Sequence, residues 1–67
     1  MQLTVNDEKR EIADGTHLDV LLDELGMAGR RGLAVAVNAV VVPSAKWPQH
    51  LLHDGDVILL IQATQGG

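Results

Sequence analysis

The chain closes on Ile61-Gln62-Ala63-Thr64-Gln65-Gly66-Gly67, two glycines at its last two positions. Glycine packs nothing and has the most conformational freedom to lose on ordering, so a terminal pair taken alone reads as a frayed end. The residues that precede the pair decide whether it is only a frayed end. Other candidates compete with it. His50 and His53 stand beside Asp54 and Asp56, but a metal needs three or four convergent ligands with supporting hydrogen bonds, so they read as surface histidines and no metal is expected. Asp19, Asp23 and Glu24 fall on the polar side of a helix, where nothing desolvates a carboxylate for acid–base work. Trp47 beside Pro48 reads as a cap on the edge of a small core rather than a stacking platform. Arg30-Arg31 reads as a solvated loop. There is no cysteine, which removes disulfides, zinc–thiolate sites and thiol nucleophiles together.

A chain of 67 residues makes one domain near the lower limit for independent folding, burying only about 60% of its unfolded surface. Apolar residues make up 46% of it, and Trp47 is the one aromatic, so the core must be aliphatic. Nine acidic against five basic side chains give a formal charge of −4. Nucleic acids and anionic membranes both call for clustered Lys and Arg, so neither is an expected partner. The start MQLTVNDEKR has no apolar signal-peptide region, and the apolar stretches around Leu33–Val37 and Val40–Val42 are too short to span a bilayer. A cytoplasmic protein is expected.

The elements follow from periodicity. Leu3 and Val5 alternate with Gln2 and Thr4 as in a half-buried strand, Asn6-Asp7 supplies a turn, and Glu8 to Ala13 returns as a poorly patterned strand near an edge. Leu18, Leu21, Leu22 and Leu25 repeat with helical spacing, with Thr16 as N-cap, Asp19 at the capping-box position and Gly26 as the left-handed stop. Leu33 to Val37 and Val40 to Val42 form a hairpin about Asn38-Ala39, ended by Pro43. A short element surrounds Trp47-Pro48, Asp54-Gly55-Asp56 turns tightly, and Val57 to Ile61 is the last strand. The order is β-β-α-β-β-β.

One leucine stripe covers one face of a sheet, yet Val57 to Ile61 and Leu33 to Val37 are apolar at every position. A one-sided core does not need continuous apolar strands. The surplus predicts a sheet face that meets another chain and leads into a tail. Both Val57/Leu59/Ile61 and Ile58/Leu60 are apolar, so periodicity alone leaves open which set faces the helix.

This order, with Asn38, Val42-Pro43, Trp47, His50, Asp54-Gly55-Asp56 and Gly66-Gly67 at these intervals, resembles the ubiquitin-like β-grasp carriers, and specifically the thiamine-biosynthesis sulfur carrier family, ThiS. The resemblance covers the whole chain and is strongest from Ala34 onward. It implies an α+β fold, a mixed sheet with one helix packed on one face, in a single domain 1–67 whose residues 62–67 are a flexible tail. It implies a carrier and not an enzyme, with no bound cofactor, whose working group is the carboxylate of Gly67, preceded by Gly66. An E1-like adenylating enzyme of the ThiF type joins that carboxylate to AMP from ATP-Mg, a sulfur donor protein converts it to a thiocarboxylate, and a thiazole synthase of the ThiG type takes the sulfur. It also puts Ile58 and Leu60 toward the helix, which leaves Val57, Leu59 and Ile61 on the open face as the partner-binding strip, followed by Gln62, Ala63, Thr64 and Gln65. Two other readings are the small subunit of molybdopterin synthase, whose tail also becomes a thiocarboxylate, and a non-conjugated β-grasp interaction module.

Overall fold

Two asparagine turns organise the sheet. In the computed structural model, which describes residues 1–62, β1 (Gln2–Val5) and β2 (Glu8–Glu11) are joined by Asn6-Asp7 with φ of 48° and 68°. β3 (Leu33–Val37) and β4 (Val40–Val41) are joined by Asn38-Ala39 with φ of 51° and 70°. Two consecutive left-handed residues make a type I′ turn, whose twist matches that of the strands, and asparagine tolerates that conformation better than most residues. The last strand, β5 (Val57–Gln62), lies in the middle of the sheet, in the order β2-β1-β5-β3-β4. It runs parallel to β1 and antiparallel to β3, so the sheet is mixed.

The helix, α1 (Leu18–Glu24), buries Leu18, Leu21 and Leu22. These meet Leu3, Val5, Val35, Val37 and Ile58 from one side of the sheet, with Val42 and Leu52 closing the core and Leu25, Leu60 and Trp47 packed on its rim. The core is aliphatic, as the composition requires. Helix termination follows the expected route: Gly26 is left-handed at φ 73°, its N–H bonds Asp23 O, and Met27 N–H bonds Leu22 O at 2.8 Å. That pair of bonds is a Schellman motif.

Several boundaries differ from the sequence expectation. The N-cap is His17, without a side-chain capping bond, and not Thr16, whose hydroxyl donates instead to Ala13 O at 2.7 Å. The helix entrance is tied by backbone bonds to a distant segment, Leu18 N–H to His50 O and Leu52 N–H to Thr16 O, and these replace the local cap. Asp19 is half-buried rather than on the wet face with Asp23 and Glu24. β2 stops at Glu11, and Val42 leaves β4, although its N–H still bonds Val35 O. Ser44–Gln49 is a 3-10 helix in which Trp47 donates its indole N–H to Val42 O at 2.8 Å, the core-edge role expected of it. Gln62 is the last residue of β5, opposite Leu33, and not the first of a tail.

The α-ammonium of Met1 donates to Ile12 O and to Asp14 Oδ1, at 2.8 and 2.9 Å. The hydrogen bond to Asp14 raises its pKa above the ordinary α-amino value.

Candidate functional site

Alternation along β5 decides the facing that periodicity left open. Ile58 is 1% exposed and Leu60 packs on the core, while Val57, Leu59 and Ile61 are 52%, 47% and 54% exposed. Ile58 lies opposite Val37 and Leu60 opposite Val35, both inward-facing residues of β3. Strand partners share a face, so Leu59 aligns with Ala36 and then Val41, and Ile61 aligns with Ala34. The open face is therefore an apolar strip across three strands, broader than the three residues singled out from the sequence. The small alanines keep it flat. Val41 is 67% exposed and extends the strip to the sheet edge. The sequence signal for this extension was the alternation of Ala34 and Ala36 with larger residues, legible once Val35 and Val37 are known to point inward.

Polar side chains fix both ends of β5. At its start, Asn38 Nδ2 donates to Asp56 Oδ1 at 2.9 Å, and Asn38 Oδ1 accepts the N–H of Val57 at 2.9 Å. Asp56, a buried carboxylate, takes the N–H of His53 on its other oxygen at 2.8 Å. At the far end, Asn6 Oδ1 accepts the N–H of Leu60 at 2.8 Å, and Arg30 Nη1 donates to Gln62 Oε1 at 3.2 Å. Asn6 and Arg30 are site residues that sequence reasoning missed as such. The available signal was an asparagine at the first position of each two-residue turn, repeated at 6 and 38.

Ala63, Thr64, Gln65, Gly66 and Gly67 lie outside the described residues. Of the expected site, the structure thus places Val57, Leu59 and Ile61 together on one face and Gln62 at the strand end. Among the described residues no three His, Asp or Glu side chains converge on a point that could hold a metal ion. No helix there is long and apolar enough to cross a membrane. An open cleft of about 420 Å³ lies beside β4, lined by Val40, Pro43, Lys46 and His50 among others, and holds no convergent set of reacting groups.

The described residues thus form a flat apolar face on a central strand held near both ends by asparagine side chains. The sequence profile of the ThiS family matches residues 2–67. The chain belongs to the ThiS family. It is 40% identical over 67 residues to the sulfur carrier protein ThiS of Escherichia coli (strain K12), with both chains covered in full. It is 33% identical over 67 residues to a thiazole synthase of Paramagnetospirillum magneticum, where it spans 20% of that protein's length. The crystal structure of a thiamine biosynthesis protein (ThiS) from Geobacter metallireducens superposes with a TM-score of 0.85 at 26% identity, each chain covered completely. A solution structure from that organism gives 0.80, covering all of this chain and 88% of the other. The mixed sheet with one helix is the ThiS β-grasp, and membership makes the chain a sulfur carrier of thiamine biosynthesis, a carrier rather than a catalyst.

Proposed function

We propose that this chain carries sulfur as a thiocarboxylate on Gly67. The observation that carries the reading is the full-length match to a sulfur carrier ending, in this chain, on Gly66-Gly67. An α-carboxylate is ionised at neutral pH and inert to a sulfur nucleophile, so it must be activated. An adenylating enzyme of the ThiF type binds ATP-Mg, and the Gly67 carboxylate attacks the α-phosphorus, forming an acyl adenylate and releasing pyrophosphate. The terminal sulfur of a donor protein's persulfide then attacks the acyl carbon and AMP leaves. A thiol cleaves the resulting acyl disulfide, reducing its S–S bond and leaving the thiocarboxylate. A thiazole synthase of the ThiG type consumes that sulfur, a partnership supported by the likeness to part of a thiazole synthase.

The chain's own contribution is binding and delivery. Val57, Leu59 and Ile61, widened by Ala36 and Val41, offer the partner a flat apolar surface. Ala63, Thr64 and Gln65 follow β5 in the sequence, and the two glycines put no side chain next to the reacting carbon. With no cysteine in the chain, the terminus is where sulfur can ride. These steps belong in the cytoplasm, where ATP and reduced thiols are present.

Intact-mass spectrometry of the protein from its own cells tests this directly. Replacement of one oxygen by sulfur at Gly67 is expected. A terminus that stays a carboxylate when the adenylating enzyme, ATP-Mg and a persulfide donor are supplied would overturn it. Removing Gly67, or adding a residue after it, should abolish ATP–pyrophosphate exchange without changing the melting temperature.

A further inference from the structure

β1 ends at Val5, but its ladder with β5 does not. Thr4 N–H bonds Asp56 O and Asn6 N–H bonds Ile58 O, both at 3.0 Å, the evenly spaced pattern of a parallel pair. The next bond in that pattern would run from Leu60 N–H to the Asn6 carbonyl. Here the side-chain Oδ1 of Asn6 makes it instead, at 2.8 Å, while the residue turns into the left-handed region at φ 48°. One residue thus turns the first hairpin and carries the ladder one step further along β5. Beyond Leu60, Ile61 and Gln62 pair only with β3, through Ala34 and Leu33. Asn6 therefore marks where β5 is last held on both sides, seven residues before Gly67.

We propose that Asn6 is a positioning residue for the sulfur-carrying terminus, fixing the point and direction in which the tail leaves the sheet. This rests on the reading of Gly67 as the reacting group. A thread reaching into a partner's site transmits any error at its root to its tip, so slack at Leu60 spreads the positions available to the Gly67 carboxylate. The apolar face docks independently of this bond. Loosening the root therefore lowers the rate in the bound complex rather than the affinity for the partner. Arg30, bonded to Gln62 across the other flank, steadies the same root more weakly, being fully at the surface.

The variant Asn6→Gly separates the two jobs of the side chain. Glycine accepts the left-handed turn, so the hairpin survives, but it offers no oxygen to Leu60. Asn6→Asp keeps an acceptor at the same place and is the rescue. In the free protein, amide exchange followed by NMR should quicken at Leu60 by roughly tenfold in Asn6→Gly and stay near wild type in Asn6→Asp. In ATP–pyrophosphate exchange with the adenylating enzyme, Asn6→Gly should lower kcat roughly five- to tenfold with KM within about twofold, and Asn6→Asp should restore kcat. Unchanged Leu60 exchange, or a loss of activity carried by KM, would overturn the assignment. So would a kcat defect that Asn6→Asp shares. Absence of exchange activity in the wild type would instead sink the Gly67 reading, leaving the Leu60 measurement to decide whether the root is held by Asn6.

Discussion

Asn38 does at the start of β5 what Asn6 does near its end. Each sits first in a two-residue I′ turn, and each offers its side-chain oxygen to an N–H of the central strand, Val57 or Leu60. Asn38 also donates to Asp56, a buried carboxylate whose other oxygen is engaged by His53 N–H. Removing that donor leaves a buried acceptor short of a partner, which costs about 1–3 kcal/mol. Asn38→Gly, which keeps the turn, should therefore lower the urea midpoint clearly, whereas Ala39→Gly, which relieves a left-handed alanine at φ 70°, should raise it. If Asn38→Gly is neutral, the cradle around Asp56 is decoration. The Met1 ammonium gives a pH signature of its own. Its folded pKa lies above the ordinary value of 8.0, so its stabilising contribution is complete below that pH and fades as pH rises through the folded value. Melting temperatures on either side of pH 8 should show this loss in the wild type and a smaller one in Asp14→Asn, which keeps Glu11 and Asp54.

At the scale of elements, β5 carries two surfaces on one strand. Ile58 is enclosed by the leucines of α1, and its truncation to alanine should cost about 2–5 kcal/mol. A domain this small has about 3–5 kcal/mol in reserve, so Ile58→Ala should leave much of the population unfolded. Leu60, only half-buried on the rim, should lose less on truncation. Leu59→Glu and Ile61→Glu place a charge on a solvated face and should melt near wild type while raising KM for the adenylating enzyme. Circular-dichroism melts beside exchange kinetics separate the sets: a folded Ile58→Ala with an unfolded Leu59→Glu would reverse the facing. The outer strands are guarded differently. β2 is all charge, Glu8-Lys9-Arg10-Glu11, which discourages edge pairing, while β4 is two residues long and closed by Pro43.

The whole molecule places β5 in the centre of the sheet, flanked by β1 and Asn6 as far as Leu60 and by β3 through Gln62. That placement ties the last described strand of a short chain without cysteine into the middle of the sheet. A strain lacking this protein should need thiazole or thiamine for growth and keep its molybdenum-cofactor enzymes active. Growth without supplement, or loss of the molybdenum enzymes, would contradict a carrier dedicated to thiamine.

Much of this was legible in the residues. The leucine spacing from 18 to 25, the stop at Gly26, the turns at Asn6-Asp7 and Asn38-Ala39, and the surplus of apolar positions in β3 and β5 are local signals, because each reflects the period or backbone preference of one segment. The choice of Ile58 over Leu59 for the core was not local. Both are apolar, and only the resemblance, and then the register against Val37 and Ala36, assigned them. The helix start was misplaced for a related reason: Thr16 looks like a cap in sequence, but bonds to His50 and Leu52 fix that entrance from more than thirty residues away. The second roles of Asn6 and Asn38 depend on β5 lying between the two hairpins. A turn preference is written in neighbouring residues, whereas a hydrogen bond spanning fifty-four positions exists only once the sheet has formed.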